Sequence, residues 1–426
     1  MKRTLSLLAF SLAACSDEAS PVRDAAADVS GDVTADVAGD VTPPGDGPTC
    51  QPSREQPAPR GDATGVVDPT TGRLYVFGGD TGPVVQCIPA PSFSAETWRY
   101  EPSCDRWDLL STPTAPSARS RAAWALDARR RRMIVFGGRF REGTSGAYTL
   151  YRDVWAFDLA AERWEELSPT GEAPAARSNA AAVYDPEADA FVVFGGNTST
   201  SGLTFTPRND TWALDLATNT WRRVATTGAA PTARLFHSAA LVGRGLWVYG
   251  GGGANAFMGP FYSDLWRLDL ATSAWSRVTL SGETAALGGR ISAALLPAGD
   301  GAALVGGHDD GALGNRNDVL ALSAAGEVSV ARAGDELNRP GAGFCDFPAD
   351  FATTDVDAPE RRSAFVAALD PARNRVIVFG GKTDCGSAGD VWSLDLTARA
   401  WRPLRGAIEG LSCQRSGREN CRSLCN

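Results

Sequence analysis

From about residue 57 the chain alternates short apolar runs with clusters of Gly, Pro, Asn and Asp. Leu74-Tyr75-Val76-Phe77 and Met133-Ile134-Val135-Phe136 are apolar at every position and rich in β-branched and aromatic residues. Such runs fit strands buried on both faces. Helical periodicity is scarce. Each run ends in a double glycine, at Gly78-Gly79, Gly137-Gly138, Gly195-Gly196, Gly250-Gly251, Gly306-Gly307 and Gly380-Gly381. A further strand then carries Trp, as in Asp153-Val154-Trp155-Ala156-Phe157-Asp158, and a second Trp follows nine residues after the first. The pairs are Trp98/Trp107, Trp155/Trp164, Trp212/Trp221, Trp266/Trp275 and Trp392/Trp401, so ten of the twelve Trp residues obey one spacing.

An upstream mark accompanies each unit. Pro-x-x-Arg stands at Pro57/Arg60, Pro116/Arg119, Pro174/Arg177, Pro231/Arg234 and Pro359/Arg362, and Arg290 holds the same place without its Pro. Each Arg lies 16 or 18 residues before the double glycine. That spacing predicts an Arg at the start of each unit's innermost strand.

The double glycine and the aromatic-to-Trp spacing resemble the kelch repeat. The resemblance covers residues 57 to about 405 and implies an all-β fold, a six-bladed β-propeller of four-stranded blades around a central channel. On this reading the glycines turn the chain where blades crowd the channel. The Trp side chains fill the wedge between blades, where truncating one costs about 3–5 kcal/mol. Blade five, about 290–330, departs from the pattern. Its strand is Asn317-Asp318-Val319-Leu320-Ala321-Leu322, both Trp residues are missing, and it is expected to be the weakest blade. The 74-residue step to the last double glycine is too short for a seventh blade, and residues 333–358 are read as one long loop.

The start of the chain is different. Lys2 and Arg3 precede a ten-residue apolar run, 5–14, which is too short to span a bilayer. It ends in Leu12-Ala13-Ala14-Cys15, which resembles the lipobox of bacterial lipoproteins. The resemblance implies a signal peptide at 1–14, cleavage before Cys15 and lipidation of Cys15. Residues 16–49 hold eight acids and one Arg, so most of the formal net charge of −9 sits there. Asp24, Asp28, Asp32, Asp36 and Asp40 recur every four residues, a like-charge spacing that disfavours a helix. We read 15–56 as the lipidated Cys plus an acidic disordered linker, reaching roughly 30 Å. Nothing there pre-organises a calcium cage. The chain is thus expected to be exported and lipid-anchored at the cell envelope, at the outer membrane or cell surface, touching membrane through the anchor only.

Eight further cysteines, Cys50, Cys87, Cys104, Cys345, Cys385, Cys413, Cys421 and Cys425, suit an exported disulfide protein, with connectivity left open. Blade alternation puts Cys345 and Cys385 on one face of blade six, and this pair is the expected disulfide. Cys104 falls on the opposite face from Cys87. Residues 406–426 form a Cys-rich tail; three Cys with no nearby His make a poor zinc set.

No catalytic set emerges. The chain has two His, His237 and His308, and His237 reads as a packed structural residue. The copper ligands of galactose-oxidase-like propellers find no match, nor do a phosphate loop or nucleophile elbow. The nearly balanced globular part lacks the basic footprint of a nucleic-acid binder. No cofactor or metal is expected, and the chain is read as a monomer. The leading expectation is a binding module for a protein or glycan. The alternatives are a carbohydrate-active enzyme, since some exported kelch propellers are sialic-acid mutarotases, and a purely structural propeller. The ligand face is expected on the long loops, 80–95, 139–152, 197–209, 252–263, 308–317 and 382–389, plus 333–358. Candidate contacts are the aromatics Phe140, Tyr148, Phe205, Phe257, Phe261 and Tyr262, read as exposed, and the ring of Arg60, Arg119, Arg177, Arg234, Arg290 and Arg362. Those guanidinium groups have two readings: an acidic ligand's cradle, or bonds between blades.

Overall fold

A computed structural model describes residues 50–82, 84–85, 88–256, 258–309, 314–338, 352–383 and 386–406. Cys15, Cys87, Phe257, Cys345, Cys385 and the three tail cysteines lie outside the described residues.

Six antiparallel sheets, each built on four consecutive strands, form the six-bladed propeller. Blade 2 is typical, with strands Ala123–Asp127, Arg132–Phe136, Val154–Asp158 and Arg163–Leu167. Its second strand is buried almost throughout because both its faces meet neighbouring blades. The first strands of the six blades line a central cavity of about 410 Å³.

The tryptophans act as wedges. Trp164 of blade 2 shares a buried cluster with Val66, Tyr75 and Phe77 of blade 1. Trp107, at the other seam, packs with Val366, Phe379 and Val391 of blade 6. In blade 5 the position paired across the ladder is Val328 (Leu322↔Val328, where blade 3 has Leu214↔Trp221). The volume is supplied from the facing blade, because Trp247 and Tyr249 of blade 4 share the buried cluster with Val328. Trp247 is one of the two tryptophans outside the repeat spacing, and this is its role.

The double glycines answer a close approach. Gly78 has φ +68°, and a Cβ there would lie 2.6 Å from the carbonyl oxygen of Arg119 in the next blade. Gly79 then donates its N–H to that same oxygen at 2.9 Å. Blades are thus stitched backbone to backbone beside the channel.

Ring closure uses the segment before blade 1. Cys50 is disulfide-bonded to Cys104, in the turn between strands Thr97–Glu101 and Arg106–Leu109. The Ser53 hydroxyl accepts from the Trp107 N–H, and Arg405 of blade 6 donates to Ser53, Gln56 and Asp105. The linker expected through residue 56 is therefore already held from Cys50. Residues 333–358 are not a plain loop either. Glu336–Leu337 pairs antiparallel with Ala352–Thr353, and Arg332 is bidentate to Asp355.

Candidate functional site

The Arg at the head of each first strand is fully buried. In blade 2, Arg119 Nη1 and Nη2 bind the two oxygens of Asp153 at 2.6 and 2.8 Å. Nη1 also donates to the Gly137 carbonyl at 3.1 Å, and Nε to the Ser117 carbonyl. Asp153 in turn accepts from the Trp155 indole N–H at 2.8 Å. The arrangement recurs as Arg177–Asp210–Trp212, Arg234–Asp264–Trp266 and Arg362–Asp390–Trp392, and with one Arg-to-carboxylate bond as Arg60–Glu96–Trp98. In blade 5, Arg290 grips Asp318, and Arg316 donates where the indole is missing. The side chains therefore bond within their own blade, and it is the Arg backbone that reaches the neighbour: in blade 2 the Arg119 N–H donates to the Ser94 carbonyl at 3.2 Å and its carbonyl accepts from Gly79 at 2.9 Å. Their donors are directed at these internal carboxylates and carbonyls. Despite desolvation, the Arg partners hold the carboxyls of Asp210, Asp264 and Asp390 below the ordinary range. The acid two residues before each first Trp was visible in the sequence as a repeat. Its partner was not, since the two lie about 30 residues apart.

Two residues beyond each Arg the backbone turns left-handed. Asp62, Arg121, Asn179, Phe236, Ser292 and Ala364 all have φ between 51° and 57°. Arg121 donates its N–H to the Asp62 carbonyl at 2.9 Å, Asn179 to Arg121 at 2.9 Å, Ser292 to Phe236 at 2.8 Å, Ala364 to Ser292 at 3.0 Å and Asp62 to Ala364 at 2.7 Å. This belt crosses the channel mouth on the long-loop side. None of the six is Gly, although the conformation costs an L-residue roughly 1–2 kcal/mol. Strain of this kind gathers where side chains must be aimed. Here Arg121 lies over the Phe236 ring at 4.8 Å and meets Asp62 at 3.0 Å, which fills the mouth with side chains.

A second ring follows the double glycines: Asp80, Arg139, Asn197, Gly252, His308 and Lys382. Lys382 bonds Asp80 at 2.9 Å and Asp62 at 3.2 Å. Charge thus gathers on blades 1, 2 and 6. Opposite, Phe205, Phe236, Phe261, Leu235, Ala256 and Ile291 form an apolar cluster across blades 3, 4 and 5.

The aromatics read as exposed are largely covered. Tyr148, Phe205 and Phe261 are 7%, 5% and 7% exposed. Adjacent loops fold onto one another: Tyr148 donates its N–H to the Thr200 carbonyl, and Phe205 to Ala254. Phe140 is half-buried against Phe93, and Tyr262 is half-buried beneath Arg234 at 4.5 Å. Among the described residues the large apolar side chains that stand out most are Leu203 and Met258, 87% and 84% exposed, on the loops of blades 3 and 4; Val356, in the 333–358 segment, and Leu109, on the outer strand of blade 1, follow at 65% and 51%. Periodicity cannot reveal this exchange, because it depends on loop-to-loop packing. His237 is buried against Phe194, and burial, then Arg234, pushes its pKa down to about 3.

On the opposite face four of the blades share one turn. Asp158, Asp215, Asp269 and Asp395 each accept two backbone N–H groups in the same tight turn between third and fourth strands.

The KLHDC2/KLHL20/DRC7 Kelch-repeats domain matches residues 48–185 and 134–327 of this sequence. The chain belongs to the kelch family. Among proteins similar to this kelch chain, acyl-CoA-binding domain-containing protein 4 of Arabidopsis thaliana is 30% identical over 188 residues, 44% of this chain and 26% of that protein. Kelch domain-containing protein 3 of Bos taurus is 29% identical over 162 residues, 36% of this chain and 40% of that one. The kelch chain therefore spans less than half the length of these relatives. The solved structure of YjhT aligns with a TM-score of 0.55 at 15% identity, over 81% of this chain and 97% of that one, which shows the shared fold.

Proposed function

We propose that this kelch propeller is a binding module held at the bacterial cell envelope, taking a protein ligand on its long-loop face. The observation that carries this reading is the exposure of Leu203 and Met258 on those loops. Leu203 and Met258 lie in sequence beside Phe205, Ala256 and Phe261 of the buried apolar cluster, and a partner that covers them removes their apolar surface from water, at about 25 cal/mol per Å². A glycan site would instead present aromatic faces, and the loop aromatics here are mostly spent on internal packing. The short-turn face offers turns whose polar groups already serve one another. Lipidation at Cys15 supplies the anchoring part of the proposal. It is checked by Cys15→Ser, which is expected to release the protein from the membrane fraction or leave its precursor uncut; an unchanged membrane yield and mature mass would refute it.

The face is tested with a photo-crosslinking side chain at position 203 or 258, compared with one at position 218 or 272 on the short turns, in the full chain in its native envelope. A discrete adduct from 203 or 258 alone is the expected result. Adducts from the short-turn positions alone, or none from either face, would overturn the reading.

A further inference from the structure

We propose that the seam between blades 5 and 6 holds a site for a small phenol, reached from the short-turn face. It lies away from the long-loop face and stands independently of the protein-binding reading.

Each blade turns one cross-strand row of side chains toward the next blade. In blade 1 the second, third and fourth strands contribute Tyr75, Arg99 and Asp108 to it. In blade 5 the same row is Ala303, Ala321 and Ser329, the smallest of the six. The residue before the double glycine is aromatic in the other five blades and is Val305 here. On one side of blade 5, Trp247 of blade 4 makes up the missing volume. On the other side, among the described residues, no side chain takes the place that Tyr75 holds in blade 1. A cavity of about 500 Å³ stands there, with Ala303, Ala321 and Ser329 on one wall and Leu394 and Leu396 of blade 6 on the other. Its rim is made of exposed short-turn residues such as Asp300 and Arg399. The volume falls within the usual span of small-molecule sites, about 300–1,000 Å³.

The filled seam between blades 1 and 2 shows what such a place accepts. There the Tyr75 ring packs on Phe157, with centroids 5.5 Å apart. Its hydroxyl donates to the Leu159 carbonyl at 3.2 Å and to the Glu162 carboxylate at 2.9 Å. Counted from the Asp that ends the third strand, Asp158 or Asp395, Phe157 corresponds to Leu394, Leu159 to Leu396 and Glu162 to Arg399. Glu162 and Arg399 also share the left-handed turn conformation, φ 53° and 55°. By this correspondence the cavity offers apolar walls for a ring, a backbone carbonyl that accepts and a guanidinium that donates. A phenolic hydroxyl answers both polar groups at once, because it has a proton to give and lone pairs to offer. Charge disfavours an aromatic acid: Asp300, Glu327 and Asp395 line the cavity against the single cation Arg399.

The experiment uses the full chain and two variants, Ala303→Tyr and Arg399→Met. p-Cresol, toluene and 4-methylbenzoate, which share one ring and differ at its tip, are titrated by ligand-observed NMR. p-Cresol is expected to bind saturably and at least about fivefold more tightly than either comparison, the value of one net hydrogen bond. Ala303→Tyr supplies the side chain of blade 1 and is expected to abolish p-cresol binding while keeping or raising the melting temperature. Arg399→Met is expected to weaken p-cresol at least about fivefold and leave toluene unchanged. No saturation by p-cresol, equal or tighter binding of toluene or 4-methylbenzoate, p-cresol binding retained by a folded Ala303→Tyr, or p-cresol affinity unchanged in Arg399→Met would each overturn the proposal. Should Ala303→Tyr not fold, the Arg399→Met comparison decides alone. The crosslinking at 203 and 258 is independent of these outcomes, so the two readings can fail separately.

Discussion

The seam between blades 4 and 5 offers a sharp test of how the propeller is packed. Val328 stands where the other blades place their second Trp, and Trp247 fills the seam from the opposite side. Consider Trp247→Val. An indole buries about 200 Å² and valine replaces about half, so the transfer loss is ~2.5 kcal/mol. A void of ~80 Å³ adds ~2 kcal/mol if nothing relaxes, at about 24 cal/mol per Å³. Partial collapse of the neighbours brings the expected loss to ~3–4 kcal/mol. Val328→Trp on its own overfills the seam and is expected to lose about 1–3 kcal/mol. The double variant restores the Trp to its usual side. It is expected to be more stable than the sum of the singles by at least about 2 kcal/mol. Urea unfolding of the four proteins, with the m-values compared, measures this coupling. Additivity within about 0.5 kcal/mol would show that the two positions do not share one volume, and the account of blade 5 would be wrong.

Three further outcomes are expected. Arg177→Met strands the Asp210 carboxylate and is expected to cost about 3–5 kcal/mol at neutral pH, whereas Arg177→Met with Asp210→Leu should recover most of that; equal stability of the two by thermal melts would remove the ion pair from the argument. His237 is neutral in the fold, with its pKa near 3 against 6.5 unfolded, so its contribution is complete above about 6.5 and declines as the pH falls toward 3. His237→Leu should therefore spare the protein about 2 kcal/mol of the loss between about pH 7 and 5, and an unchanged pH profile in denaturant titrations would count against this. Cys104→Ser opens a 54-residue span and is expected to cost about 2–4 kcal/mol, with non-reducing peptide mapping to confirm that the Cys50–Cys104 link is the one lost.

The six blades were legible because each needs the same few residues at the same spacing. Gly-Gly marks the point where the next blade's carbonyl arrives, and the Trp pair marks the wedge. What the sequence could not show is contact between units. The belt joins Asp62 to Arg121 and to Ala364, residues some 60 and 300 positions away, and no local pattern announces it. The same holds for Cys50 and Cys104, whose partnership depends on the path of a non-repeating segment. The loop aromatics were misjudged for a related reason. Tyr148, Phe205 and Phe261 look like surface residues within their own loops, and they are buried by their neighbours' loops.

The Cys50–Cys104 bond also decides how the ring carries load. Cys104 lies on the short-turn face, whereas the segment after Cys50 climbs the outer edge of blade 1 to Arg60 at the other end. A pull on anything attached ahead of Cys50 therefore enters through a covalent link into the outer hairpin of blade 1. It bypasses the hydrogen bonds of residues 53–60, which would otherwise peel one at a time. The load enters beside Asp105, which Arg405 of blade 6 also holds, so the ring closure shares it. Under reducing conditions the same pull would unzip the edge first, at a far smaller force.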